Sequence, residues 1–135
     1  MKLEEIQEEL DNDLKIDSTK LQYEAANNPA LYGKWLRKYS LIKKEMLAIE
    51  AKRKTAVKNR LDFYTGRGDE VCMTSYEKSE MKTVICADAD VLRVDTTLAY
   101  WNILLDFCSK ALDAIKSRGF AIKHVIDMRQ LENGN

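Results

Sequence analysis

An all-α fold is predicted for this chain by three observations. One Pro and five Gly in 135 residues leave few breakers. Leu, Ala, Lys, Glu, Met and Ile are good helix formers. Apolar residues also recur at alternating steps of three and four, the period of one helix face. The length suits one compact domain or one oligomer-forming unit. With 45% hydrophobic and 33% charged residues, a core is possible and disorder throughout is excluded.

Leu3, Ile6, Leu10 and Leu14 form one face of a short acidic helix, surrounded by Glu4, Glu5, Glu8 and Glu9. Asp17 and Ser18 are expected to cap a second short helix through Leu21, Tyr23 and Ala26, stopped by Asn27-Asn28 and Pro29. Pro29 then suits the first turn of a third helix. From Ala30 the positions Tyr32, Trp35, Tyr39, Ile42, Met46 and Ile49 make a heptad-like seam, so this helix is predicted to be long. Its register turns basic at Arg53 and Arg60, and Thr65 to Asp69, with two glycines, ends it and opens a loop reaching Met73.

Thr74-Ser75-Tyr76-Glu77 has the spacing of a capping box, which predicts a modest helix to about Ala87. Asp88 to Val94 reads equally as a helical turn or an extended connector, and Asp95-Thr96-Thr97 supplies the next N-cap. The last segment has the clearest pattern: Trp101, Leu105, Cys108, Leu112, Ile115, Gly119, Ile122, Ile126 and Arg129 alternate by four and three. The unbroken register across Gly119 predicts that the helix continues, with a partner backbone packed closely there. A stripe of this extent is long for so small a chain to bury internally, which favours self-association over an intramolecular core helix. The tail Asn133-Gly134-Asn135 is expected to fray. The predicted architecture is therefore short acidic N-terminal helices, a long basic central helix and a long heptad-patterned C-terminal helix.

The formal net charge is zero, yet the charges are unevenly placed. Residues 1–33 carry 3 basic and 8 acidic groups, 34–67 carry 11 and 3, and 68–135 carry 8 and 11. A basic middle in a neutral chain points to a polyanionic partner. Its centre is Lys52, Arg53, Lys54, Lys58 and Arg60, with no acid between Glu50 and Asp62. Cations at this density neutralise phosphates and release counterions, giving binding that is salt-dependent and indifferent to sequence. Phe63 and Tyr64 follow directly, and aromatic faces beside a basic track serve base stacking in single-strand binders. Against this, Arg53 and Arg60 fall on the apolar side of the helix and Lys58 on the other, so one helix cannot offer all five to one strand. Nucleic-acid binding is the favoured reading, ahead of docking an acidic protein partner and of a merely solvated face.

Catalysis finds little material. The single histidine, His124, has no nucleophile spaced to partner it. Neither a phosphate loop nor a dinucleotide-binding glycine motif is present, which argues against an ATPase. Pairs such as Asp88 with Asp90, or Glu77 with Glu80, lack accompanying metal ligands. Cys72, Cys86 and Cys108 are odd in number and contain no C-x-x-C pair, so neither a disulfide framework nor a zinc site is expected. They read as reduced cytosolic thiols. Arg67-Gly68-Asp69 reads as a flexible loop. No run approaches a membrane span, and no apolar stretch follows a basic start, so an intracellular, soluble, non-enzymatic protein without cofactor, metal or membrane is expected.

Three stretches carry a resemblance: Asp17-Ser18-Thr19-Lys20-Leu21-Gln22-Tyr23-Glu24-Ala25-Ala26-Asn27-Asn28; Tyr76-Glu77-Lys78-Ser79-Glu80-Met81-Lys82-Thr83-Val84; and Leu104-Leu105-Asp106-Phe107-Cys108 with Ala111 to His124. They are similar to the UvsY-type recombination mediators of tailed bacteriophages, and the similarity runs essentially end to end. The resemblance implies a non-enzymatic, homo-oligomeric ring, expected to be a heptamer, that works in the cytoplasm of the infected host. Such a ring binds single-stranded DNA and helps load a RecA-class recombinase of the UvsX type onto DNA covered by single-strand-binding protein. The family's DNA-binding motif falls on Val57 to Tyr64, which implies Lys58 and Arg60 as prime contacts, and its C-terminal region is the assembly element. Residues 1–95 are accordingly expected to form the N-terminal helical region with the binding motif, and residues 96–135 the oligomerisation region. No specific role is implied for the loop from Gly66 to Met73 or for the tail after Met128.

Overall fold

The computed structural model describes residues 1–134, so the last residue of the predicted frayed tail, Asn135, lies outside the described residues. Four helices make up the fold: α1 (Leu3–Asp13), α2 (Leu21–Tyr64), α3 (Met81–Cys86) and α4 (Ala89–Glu132). Among the described residues there is no strand. Two compact units are present. The first comprises Met1–Leu41 and Leu104 onward, the second Ile42–Ile103. The expected division between residues 95 and 96 thus falls inside α4 and inside the second unit.

In the first unit α1 buries Ile6 and Leu10, as its period requires, and carries Glu4 and Glu5 in its first turn, where they complement the helix dipole. Asp17 does not open a short helix that ends at Asn28. Its Oδ1 accepts from the Thr19 backbone N–H at 2.9 Å and the Thr19 hydroxyl at 2.6 Å, building a turn before Leu21. The expected stop at Asn27-Asn28-Pro29 is also overturned, because α2 runs through it. Pro29 and Ala25 both lie on the exposed side of the helix, so water can reach the carbonyl that the missing N–H would have served. The opposite side is locked in place: Glu24 and Asn28, one turn apart, both bind Arg118. Packing decides the outcome against local propensity.

Trp35 is wholly buried in this unit, with its indole N–H donating to Asp13 Oδ2 at 2.9 Å and its ring edge-on to Phe107 at 6.2 Å. Leu104, Cys108, Ala111, Ile115 and Ile122 of α4 are fully buried alongside the buried guanidinium of Arg118. Lys34 and Lys38 close the α1 edge through Glu9 and Asp13. Burial pushes the Cys108 thiol upward, so it stays protonated and inert.

The helix does continue through Gly119, as its register predicts. The close neighbour is a side chain of the same chain rather than a partner backbone: a Cβ at Gly119 would sit 2.8 Å from Asn28 Nδ2. That amide donates to the Ile115 carbonyl at 3.0 Å, while Asn28 Oδ1 accepts from Arg118 at 2.8 Å. Gly119→Ala should therefore destabilise the protein by about 1–2 kcal/mol. The displaced hydrogen bonds outweigh the gain of up to about 1 kcal/mol that alanine brings to a helix. A rise in Tm for this variant would refute the reading.

In the second unit α2 buries Ile42 and Ile49, at the predicted seam positions, together with Ile85 and Val91. The helix ends as expected. The Arg67 N–H reaches back to Asp62 O at 2.8 Å and Gly66 N–H to Phe63 O at 3.2 Å, with Gly66 at φ 80°. This is the six-to-one and five-to-two closure that a left-handed glycine permits. The predicted Thr74 capping box is not formed. The segment is irregular to Lys78, and Glu77 N–H instead donates to Glu80 Oε1 at 3.3 Å ahead of the short α3. The start of α4 is likewise corrected from Asp95 to Asp88, whose Oδ1 accepts the Asp90 N–H at 2.8 Å as an N-cap. Asp88 to Val94 is thereby settled as the cap and first turns of a helix, and Thr97 bonds back to the Arg93 carbonyl within it.

Candidate nucleic-acid interface

The basic run lies entirely in the second unit, on the last turns of α2, and α4 divides it into two groups. Arg53 and Arg60, seven residues apart, share the face turned to α4. Arg53 Nε binds Asp95 Oδ1, and Arg60 Nε binds Asp88 Oδ2 at 2.8 Å. Lys58 points outward with its side chain 75% exposed, touching only Asp62 at 3.3 Å, one turn on. Lys52 and Lys54 are exposed and make no ion pair among the described residues. Three of the five cations, the lysines, are thus open to an external anion, and the two arginines are already held by carboxylates.

Asp88, for which the sequence suggests no binding role, organises this end of the basic run. Its side chain is only 4% exposed and accepts from Arg60 Nε and, at 2.7 Å, from the Tyr64 hydroxyl. Burial alone would push its carboxyl up. The hydrogen bonds from Tyr64, Arg60 and the Asp90 backbone prevail and hold it below the usual carboxylate range. The same contact with Asp88 pushes the Tyr64 phenol up, and hydrogen bonds to Tyr64 and Asp88 raise the Arg60 guanidinium further. Arg60 also lies 4.4 Å from the Phe63 ring centroid and 5.3 Å from that of Tyr64. Tyr64 meets Phe63 and Tyr76 edge-on at 5.1 and 5.7 Å. The aromatic pair expected to offer open faces for stacking is engaged in packing. A pattern could not reveal Asp88's role, because its partners lie 24 and 28 residues away.

This cluster sets a pH window. A depressed carboxyl contributes stability that is present above its unfolded value, near 3.8, and lost as pH falls through the folded value. A raised phenol contributes stability that is present below its unfolded value, near 10.0, and lost as pH rises through the folded one. The cluster's contribution should therefore be constant from about pH 4 to 10 and decline on both sides. Tyr64→Phe should remove the alkaline decline. An unchanged alkaline limb in thermal melts of that variant would exclude Tyr64 as its origin.

The predicted assembly residues are also divided. Cys108, Ile115 and Ile122 are fully buried within the first unit, so their surface is already used inside the chain. The chain thus buries part of the stripe internally and leaves the rest partly open. Trp101, Leu105, Leu112, Gly119 and Ile126 are half-buried. Exposed apolar residues also occur on α4 away from the stripe, with Phe120 74% and Leu131 65% exposed. No group of three or more His, Cys, Asp or Glu residues among those described is placed to hold a metal ion. No described helix is long and apolar enough to cross a membrane.

Comparison with known proteins assigns the chain. The family model for the recombination, repair and ssDNA binding protein UvsY matches residues 9–135. The recombination protein uvsY of Enterobacteria phage T4 is 71% identical over 136 residues, covering 99% of both chains. Crystal structures of the bacteriophage T4 recombination mediator protein UvsY superpose closely. One has a TM-score of 0.92 at 70% identity and covers 98% of each chain; another has 0.92 at 68%, covering 97% of this chain and 99% of that one. The chain, all-α and of this length, therefore belongs to the phage UvsY family of recombination, repair and single-stranded DNA binding proteins.

Proposed function

We propose that the protein is a recombination mediator of a phage, acting in the cytoplasm of the infected host in homologous recombination and in recombination-dependent replication and repair. It binds single-stranded DNA as a homo-oligomeric ring, taken to be a heptamer, and helps load a RecA-class recombinase of the UvsX type onto DNA coated with single-strand-binding protein. The observation that carries the reading is the three exposed lysines of α2, Lys52, Lys54 and Lys58, in a chain of a single-stranded DNA binding family. Lys58 and Arg60 are the principal contacts, Lys52 and Lys54 extend the track, and Arg53 and Tyr64 brace it. Half-buried Trp101, Leu105, Leu112 and Ile126, with Gly119, contribute to contacts between subunits, and Cys108, Ile115 and Ile122 stiffen the helix from behind. Repetition around a ring multiplies weak patches into useful avidity. Nucleotide hydrolysis belongs to the recombinase, and the protein itself is no enzyme.

The test is binding to a labelled, unstructured single strand over a salt series, with particle mass recorded under the same conditions. Tight, steeply salt-dependent binding by an oligomer is expected. An assembled particle that ignores DNA even at low salt would favour a second reading, an adaptor whose basic helix docks an acidic protein. The carboxylates already seated on Arg53 and Arg60 are what that reading has in its favour.

A further inference from the structure

We propose that a groove in the second unit is a further phosphate site, in which Arg93 of α4 contacts the backbone of single-stranded DNA. The inference rests on the single-strand reading and extends it to a helix outside the basic run. The groove has a volume of about 600 Å³ and is lined by Lys52, Thr55, Asn59 and Arg60 of α2 and by Asp90 and Arg93 of α4, among others. Three cations from two helices therefore border one opening, with a single carboxylate between them.

The two arginines are held differently. Arg60 is oriented by its Nε bond to buried Asp88 and lies over the Phe63 ring, with one terminal nitrogen, Nη1, on the Asp90 side. That nitrogen lies 3.8 Å from Asp90 Oδ2, beyond hydrogen-bond distance. Arg93 is 75% exposed and reaches the other oxygen of Asp90 at 3.4 Å. Asp90 is itself 49% exposed, so both contacts are weak surface pairs that an external anion displaces at little cost. A phosphodiester in the groove would take the place of the Asp90 carboxylate between two guanidinium groups, and the Asn59 amide would add a neutral donor beside them. The strand would thus be gripped from α4 as well as from α2. This explains how a patch whose lysines and arginines point to different sides of α2 serves one continuous backbone.

The experiment compares wild type, Arg93→Gln and Asp90→Asn for binding to an unstructured single-stranded oligonucleotide over a salt series. Losing one phosphate contact should weaken Arg93→Gln roughly fivefold at 0.1 M salt and flatten its logarithmic salt slope by about 0.7. Asp90→Asn removes the competing charge and should tighten binding. The gain should vanish when Arg93→Gln is already present, since Asp90 would then have no Arg93 contact to release; an undiminished gain in the double variant would reflect net charge alone and overturn the groove site. If wild type binds steeply and both variants match it within about twofold, the groove is not a phosphate site. If wild type itself fails to bind, the single-strand reading falls and this inference falls with it.

Discussion

Replacing Arg118 with alanine should lower the stability of the protein by about 3–5 kcal/mol, because it strands a carboxylate in the core. The Arg118 side chain is 3% exposed and that of its partner Glu24 is 11% exposed. Besides this ion pair, Arg118 donates to Asn28 Oδ1 and to the Lys15 carbonyl, each at 2.8 Å. Without it Glu24 keeps only the Asp17 N–H at 3.2 Å, and the Lys15 carbonyl and the Asn28 side chain lose their donor. The expected readout is a fall in Tm on the order of 10 °C, measured at fixed protein concentration so that any assembly contributes equally. Replacing both partners with leucine should recover much of the loss, since a buried pair contributes less than its removal by halves costs. A single variant melting within about 2 °C of wild type would show that the pair is not holding α1, α2 and α4 together in the first unit.

The second large effect concerns binding without stability. Lys54→Ala with Lys58→Ala should weaken single-strand binding roughly 25-fold at 0.1 M salt and flatten the salt slope by about 1.4, with the loss fading as salt approaches 1 M. Both side chains lie on the exposed face, so the melting temperature should stay where it was. Arg60→Ala should behave differently. It removes a cation from the DNA surface and also a partner of buried Asp88, so affinity and Tm should fall together. If the lysine pair moves affinity less than Arg60→Ala does at a temperature where both variants are fully folded, the strand follows the arginine face instead.

How far the sequence could be read depended on the range of the interaction behind each feature. The α2 seam of Trp35, Ile42 and Ile49 was legible because the helical period alone specifies it. The stop at Gly66 was legible because a left-handed residue is a local requirement. The errors have a common cause. Pro29 was overruled by Arg118, about 90 residues away in sequence, acting on Glu24 and Asn28. In the α4 seam Cys108, Ile115 and Ile122 are buried where the period puts them, while the alternate positions shift by one residue, from Leu105, Leu112 and Gly119 to Leu104, Ala111 and Arg118. Its buried positions are Leu104, Cys108, Ala111, Ile115, Arg118 and Ile122, and an apolar stripe cannot include an arginine whose burial depends on a distant glutamate. The basic run was located correctly, yet the seating of Arg53 and Arg60 on Asp95 and Asp88 needed a second helix to become visible.

The connectivity of the two units also bears on the order in which the chain acquires structure. The second unit is one uninterrupted stretch, Ile42–Ile103, whose contacts close over modest separations. The first joins the two ends of the sequence, with Lys15 held by Arg118 and Ser18 by Arg129, at separations of 103 and 111 residues. During synthesis the acidic opening helix can meet α2 early, through Asp13 with Trp35 and Glu9 with Lys34 and Lys38, but the α4 side of that core is missing until Leu104 and beyond have left the ribosome. Loop closure over that span also carries an entropic cost that local pairing avoids. The unit that bears the basic run can therefore mature first. The last segment to emerge then completes the core that Trp35 has been waiting for.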